Sequence, residues 1–431
     1  MSAARSAAKT FGSSLSLLRT KRFGTFWFAS LLSNIGTWAQ QVAQPWLLLS
    51  LGASSFLVGL DAFAMDAPVW LLTLVGGVLA DRADRRRVIA LFQSIQMLCP
   101  ALVVVLLLTG TLRPSFIVAL SLVVGITDAL SMPSFQSIVP SIVEHDQISA
   151  GLALNSTQFN LSRILGPALA GVLMVGAGAV ACFEVSAVSY VPFILVALWA
   201  LPRRTPTPPS DADPFDRRRP FAGLLEIARE PHLRGALLTV LVTSALCGPL
   251  VTFCPVLVRD AFHGDAGRFS LAIGAFGVGG LVGATGLLAV DPARDRRRLS
   301  SRFASSYAVM VMLAALTPWF WGLPALMVLA GASMSVSFIS ANSLLQATAT
   351  PRLRGRTISM YMLAMRGGAS LGSLLTGASV SLLGVRRALL INGALALLAH
   401  VFVGRQWFRS SPPVERPDPS PPPVTASSTS A

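Results

Sequence analysis

The sequence predicts an all-α integral membrane protein of twelve transmembrane helices arranged as two six-helix repeats. Three observations lead there. The 431-residue chain is 53% hydrophobic and 12% charged, with a mean hydropathy of +0.66, too apolar for a soluble fold of that size. Its apolar runs are continuous over about 20 residues, the length a helix needs to cross a bilayer, and within one segment only a helix satisfies every backbone group. A charged cluster, "DRADRRR" at 81–87, returns as "DPARDRRR" at 291–298, roughly 210 residues later, and such a return indicates internal duplication.

The apolar runs place spans at 24–50, 56–80, 88–109, 116–139, 151–176 and 180–201 in the first repeat. In the second they fall at 235–258, 269–290, 303–320, 322–346, 357–381 and 386–407. Between the repeats, "PRRTPTPPSDADPFDRRRP" cannot bury a core and reads as a solvated linker. The following "FAGLLEIAREPHL" puts Phe221, Leu224, Leu225 and Ala228 on one face of a short interfacial helix. The expected organisation is a basic arm at 1–22, a bundle at 23–201, a linker with its interfacial helix at 202–233, a second bundle at 234–408 and a disordered tail at 409–431. The arm is read as a basic cytoplasmic segment rather than a transit peptide, because the first apolar run is full length and lacks a cleavage pattern.

Charge distribution sets the orientation. With the N-terminus inside, cytoplasmic segments carry 27 of the 34 Lys and Arg and outer loops carry 5, a strong positive-inside signal with both termini cytoplasmic. The net charge of +15 therefore records topology and contact with anionic lipid, and no nucleic-acid partner is expected. Trp27, Trp199 and Trp407 fall near the proposed inner interface and Trp46, Trp319 and Trp321 near the outer one, as an aromatic belt requires.

The four cysteines sit in apolar spans and read as small hydrophobes. Four scattered histidines give no metal or catalytic spacing, so neither metal nor cofactor is expected. No nucleophile, base and orienting group stand at recognisable spacing and there is no Walker-type loop, which argues against an enzyme.

Charges inside spans are the sharper signal, since each costs roughly 2.5 to 3.5 kcal/mol on insertion scales. Asp66, Asp128, Arg163 and Arg366 lie near the middle of their spans, a candidate charge relay. Asp61 and Glu184 sit nearer the outer ends, where hydration would suffice. Asn34, Thr37, Gln41 and Gln44 form a polar stripe on the first span, and Ser156, Asn160, Arg163 and Pro167 share a face of the fifth. Ser359, Arg366, Ser370 and Ser373 do the same on the eleventh. A hydrated cavity lined by Asn34, Thr37, Gln41, Gln44 and Asn160 is expected, with helix-to-helix glue the competing reading. Thr239, Thr243 and Cys247 make a weaker stripe on the seventh span.

These residues resemble the major facilitator superfamily, whose loop after the second span follows a pattern like GxxxDRxGRR. Gly77, Asp81, Arg82, Arg85 and Arg86 match it, and Asp84 replaces the second glycine, as in the enterobactin-exporter-like branch of drug:proton antiporters. "SNIGTWAQQVAQPWLLL" at 33–49, "NLSRILGPALAG" at 160–171 and "PRLRGRTISMY" at 351–361 are similar to the same branch. Two departures stand out: the fourth-span arginine motif appears only as "SLVVG", and the fifth-span GPxxGG appears as "GPALAG", with helix packing expected at Gly166, Pro167 and Gly171. The resemblance implies a gate built from Gly77, Asp81, Arg82, Arg85 and Arg86, latching the two halves.

The expectation is a monomeric secondary transporter in a bacterial-type inner or plasma membrane. It would export a small amphiphilic molecule, siderophore or drug-like, by alternating access coupled to protons. An importer or uniporter of the same fold is the alternative, and a non-transporting sensor or scaffold is the reading from another class. With the usual arginine absent from the fourth span, Asp128 is the expected proton carrier, at the depth of Arg163.

Overall fold

Both arginine clusters begin a helix, and in each the aspartate just ahead of the arginines supplies the cap that a helix start requires. The first N–H groups of a helix lack partners within it, and a short carboxylate is a preferred acceptor, contributing about 1 kcal/mol. Asp84 accepts from the backbone N–H of Arg86 at 3.1 Å, and Asp295 from that of Arg297 at 2.9 Å. Each also holds two of the arginines that follow, Arg86 and Arg87 in one case and Arg297 and Arg298 in the other. Aspartate at 84, where the wider pattern has glycine, is thus a capping residue repeated in both halves. Burial alone would raise the Asp295 carboxyl, but hydrogen bonds from the Arg297 side chain and backbone hold it below the ordinary carboxylate range. Its cap is therefore intact above that range and is lost as pH falls through the lowered pKa.

The computed structural model describes residues 16–70, 72, 75, 79, 83–144, 147–201, 230–291, 294–348 and 354–409. The segment 1–15, most of the linker with its expected interfacial helix, and 410–431 lie outside the described residues. Among the described residues the regular structure is entirely helical. In the first half α1 is Lys21–Ser50, α2 is Ser55–Asp66, α3 is Arg85–Leu108, α4 is Pro114–Ile142, α5 is Ile148–Gly176 and α6 is Gly178–Trp199. In the second, α7 runs as Pro231–Val242, a π-helical turn Thr243–Cys247, the short pieces Pro249–Thr252 and Cys254–Val256, and a second π turn Leu257–Ala261. Next come α8 at Ala266–Leu288, α9 at Arg296–Leu316 and α10 at Gly322–Thr348. The eleventh, α11, is Arg354–Met362, a π turn Leu363–Gly367 and Gly368–Leu383, and α12 is Val385–Arg409.

The ninth helix begins at Arg296 rather than at the expected 303, because the Asp295 cap starts the helix within the basic cluster, ahead of the apolar run. The duplication shows again where helices turn. Gly178 opens α6 just after α5 at φ 80°, and Gly384 separates α11 from α12 at φ 81°. Both are left-handed positions open to glycine at little steric cost.

Nine helical stretches among the described residues are long and apolar enough to cross a bilayer. The remaining three are α1, α2 and α11; α2 is described over only 12 residues, and α1 and α11 carry the polar stripes. Lipid offers no hydrophobic drive to bring such helices together, so close packing of small residues does it. Gly59 of α2 meets the backbone of Ser373 and Gly377 of α11, and a side chain at either glycine would push these helices apart.

Three apolar clusters define the core. One draws on both halves, with Leu47, Leu48 and Val58 packed beside Phe253, Phe262 and Phe269, and lies at the end away from the arginine clusters. The second belongs to the first half alone, around Phe23, Phe26, Ile89, Val139 and Phe193. The third belongs to the second half alone, around Leu233, Val240, Phe338, Leu345 and Tyr361. The halves therefore share a core at one end and keep separate cores at the basic end.

The aromatic belt is half of what was expected. Trp199, Trp319 and Trp321 are exposed, whereas Trp27 and Trp407 are buried and Trp46 stacks on Phe269 with ring centroids 5.4 Å apart. Trp27 points inward to donate to the Leu154 carbonyl at 2.8 Å, and Trp407 fills the space beside Gly235.

Candidate functional site

A π turn is an uncommon break in a membrane helix and often marks a functional position. The one at Leu363–Gly367 carries Arg366. Its guanidinium crosses to the first half, where Nε meets Asp66 of α2 at 3.0 Å and Nη1 donates to Asp128 of α4. All three side chains are partly buried. Trp70, one turn beyond Asp66, lies against Gly367, and Ser370 Oγ donates to the Phe63 carbonyl at 3.3 Å. Opposite charges about 4 Å apart attract by roughly 4 kcal/mol at an effective dielectric near 20, enough to offset much of the cost of placing them in the bilayer.

This pairing corrects one expectation. Asp128 is bound to Arg366 of the second half rather than standing beside Arg163. The guanidinium of Arg366, carried on the π turn of α11, reaches both carboxylates of the first half, whereas that of Arg163 on α5 is turned to Met334 and Met365.

Arg163 has softer company. Its Nη1 lies 3.7 Å from the Met365 sulfur and its Nη2 3.9 Å from that of Met334. The guanidinium carbon stands 5.7 Å from the Trp38 ring centre and 5.5 Å from that of Phe338. No carboxylate among the described residues pairs with it. Met334 and Phe338 of α10 carried no sequence signal, since both read as ordinary apolar positions.

Asp61 was expected to rely on hydration, and the structure corrects that as well. It is buried at 4% exposure, accepting from Gln44 Nε2 and Ser121 Oγ at 2.6 Å each. Gln44 also reaches Ser121 at 2.8 Å and receives a bond from Gln40. A buried carboxylate needs such donors because water is unavailable to it. Glu184 is exposed.

The first-span stripe consequently divides. Gln44 belongs to the Asp61 network, and Thr37 bonds Tyr190 of α6 at 2.9 Å inside the first bundle. Asn34 and Gln41 are partly buried, and the Asn160 side chain lies outside the described residues. On the seventh span Thr239 donates to the Gly235 carbonyl, Thr243 meets His400 at 3.2 Å and the Cys247 carbonyl accepts from Tyr307. That stripe binds the second bundle together.

Fifth-span packing works in two directions. Gly166 seats the Trp38 side chain of α1, Pro167 is buried, and Gly171 faces the Ser270 carbonyl and Gly274 of α8. A Cβ on Gly171 would lie 3.2 Å from that carbonyl and 3.7 Å from the Gly274 Cα, so α5 and α8 meet across the halves. Arg259 Nη1 adds a bond to the Leu49 carbonyl at 3.1 Å. The end opposite the arginine clusters is closed. Toward the basic end, Leu152 and Ser156, on the α5 face that carries Arg163, are exposed.

Of the expected gate, Gly77, Asp81 and Arg82 lie outside the described residues. Arg86 donates from Nη1 to the Leu198 carbonyl at 2.7 Å, tying the start of α3 to the end of α6. Arg85 sits in the first turn of the helix that Asp84 caps.

Comparison with known proteins agrees with this architecture. A family profile described as a transmembrane secretion effector matches residues 12–419. The enterobactin exporter EntS of Salmonella typhimurium is 28% identical over 421 residues, covering 93% of this chain and 97% of that one. The staphyloferrin A transporter of Staphylococcus aureus is 27% identical over 260 residues, a match that covers 60% of this chain and 64% of that protein. Among solved structures, a bacterial homolog of the human lysosomal transporter Spinster in an inward-facing, occupied conformation superposes with a TM-score of 0.67 at 16% identity, covering 91% of this chain and 96% of that one. Twelve helices in two halves, charges paired across the seam and a match over nearly the whole length lead to one assignment: the chain belongs to the transmembrane secretion effector family of the major facilitator superfamily and is a multi-pass secondary transporter.

Proposed function

We propose that the chain exports a small amphiphilic molecule by alternating access, with proton entry coupled through Asp66, Asp128 and Arg366. The observation that carries this reading is the pair of inter-half ion pairs on Arg366. Separating the halves where these charges meet removes the guanidinium from both carboxylates. An unpaired carboxylate within the bilayer is costly, and taking up a proton relieves that cost. Protonation and the relative position of the halves are then linked, which is what an antiporter requires.

The division into bodies at 23–201 and 234–408, joined by 202–233, belongs to the same proposal. So do the cytoplasmic placement of both termini, a bacterial inner membrane and a monomeric unit. In that orientation the end that carries the arginine clusters faces the cytoplasm. The loop Gly77, Asp81, Arg82, Arg85 and Arg86 would latch the halves when that end closes. Export rather than import rests on the likeness to a protein named for enterobactin export.

The test uses enterobactin, the molecule that relative is named for, in proteoliposomes with an imposed proton gradient. Wild-type protein is expected to move it at a rate that follows the gradient. Asp128→Asn is expected to remove that dependence while binding remains measurable. Gradient dependence unchanged in Asp128→Asn would reduce Asp128 to a structural partner and end the proposed coupling.

A further inference from the structure

We propose that Arg163 is the docking point for an anionic group on the substrate, with Trp38 and Phe338 receiving an attached aromatic ring. This deepens the exporter reading and rests on it. It also removes Arg163 from the charge relay, where the sequence pattern had placed it.

The argument starts from a contrast among the charges inside the spans. Asp61 accepts from Gln44 and Ser121, and Asp66 and Asp128 meet Arg366. Among the described residues, Arg163 alone of these midspan charges has only soft neighbours. A guanidinium offers five N–H donors in a planar fork, and two of these nitrogens face thioether sulfurs at 3.7 and 3.9 Å, which are weak acceptors. Its cation–π contacts are worth about 0.5 to 2 kcal/mol each, against an insertion cost of roughly 2.5 to 3.5 kcal/mol or more. A strong acceptor is the piece this arrangement lacks among the described residues.

What would complete it follows from the geometry. The planar fork pairs bidentately with a carboxylate or a similar planar oxyanion. Trp38 and Phe338 flank the guanidinium at ring distances that leave aromatic faces close to such a ligand. Met334 and Met365 are unbranched and adaptable, suited to ligands of varied outline. The neighbours also come from both halves, Trp38 from α1 and Met334, Phe338 and Met365 from α10 and α11. Relative movement of the halves would therefore dismantle the site and release what it holds. Ser156 and Leu152, on the same α5 face toward the basic end, are exposed, and entry from that end belongs to the proposal.

The experiment needs no knowledge of the natural substrate. The purified full chain in lipid nanodiscs is titrated with 1-naphthoate, with its neutral isostere 1-naphthamide and with 1-naphthylmethylammonium, and binding is followed by calorimetry without any gradient. Wild-type protein is expected to bind the carboxylate roughly ten-fold or more tightly than the amide, the size of one charge-assisted bond, and to bind the ammonium weakest. Arg163→Gln is expected to bring carboxylate and amide to about equal affinity while amide binding stays within roughly two-fold. Arg163→Lys should keep a reduced carboxylate preference, because it retains the charge and loses the fork. Equal affinity for carboxylate and amide in the wild type, or an unchanged preference in Arg163→Gln, overturns the proposal and leaves Arg163 as packing between the halves. Since binding is read without transport, failure of enterobactin movement beside an intact carboxylate preference would count against the exporter reading alone.

Discussion

Arg366→Gln is expected to abolish transport and to lower stability by roughly 3 to 5 kcal/mol, the cost of leaving buried charges without their partner. The substitution removes the one cation that Asp66 and Asp128 share, so two carboxylates face each other inside the bilayer. Abundance in the membrane should fall, and the thermal midpoint of the detergent-solubilised protein should drop. The triple variant Asp66→Asn, Asp128→Asn, Arg366→Gln should recover abundance because no charge is left unpaired, yet it should still fail to transport. That split separates a folding role from a coupling role. Normal abundance and normal transport in Arg366→Gln would show that the ion pairs carry neither.

A second large effect is expected at the α5–α8 crossing. A Cβ on Gly171 would lie 3.2 Å from the Ser270 carbonyl and 3.7 Å from the Gly274 Cα, whereas a Cβ on Gly274 would meet nothing within 4 Å. Bulk at 171 is therefore felt by α8 and bulk at 274 is not. Gly171→Leu should wedge α5 from α8 and lower transport at least several-fold, while Gly274→Ala should leave transport near normal, each compared at equal membrane abundance. Full transport by Gly171→Leu would mean that close contact at this seam is not needed during the cycle.

Much of this was legible in the sequence for physical reasons. Hydropathy and the asymmetry of arginine predict helical spans because bilayer thickness and charge insertion act on composition directly. The duplicated Asp and Arg cluster pointed to two halves, and the Asp84 and Asp295 caps could have been read from an aspartate standing just before a helix start. Pairing was not legible. Composition shows Asp66, Asp128, Arg163 and Arg366 as midspan charges, but which acid meets which base depends on how α2, α4 and α11 come together, and neither that nor the π turn carrying Arg366 leaves a composition signal. The Asp61 network is not legible either, because position near a helix end does not fix exposure, and the neighbouring helices bury Asp61. Likewise the first-span stripe was treated as one face, although Thr37 turns to Tyr190 and Gln44 to Asp61. Met334 and Phe338 became visible only when the fold brought α10 against Arg163.

Distances across the two ends of the molecule decide whether the halves alternate. Spin labels on Thr157 and Gln346, exposed on α5 and α10 near the basic end, and on Thr109 and Leu383 near the other end, report the two ends separately in a background where Cys99, Cys182, Cys247 and Cys254 are replaced. Pulsed electron–electron resonance in nanodiscs should show the Thr157 to Gln346 distance shortening as the Thr109 to Leu383 distance lengthens. Neutralising Asp66 and Asp128 together should shift that balance. Distributions at the two ends that stay fixed under every pH and in the neutralised variant would contradict alternation of the halves and its link to these carboxylates.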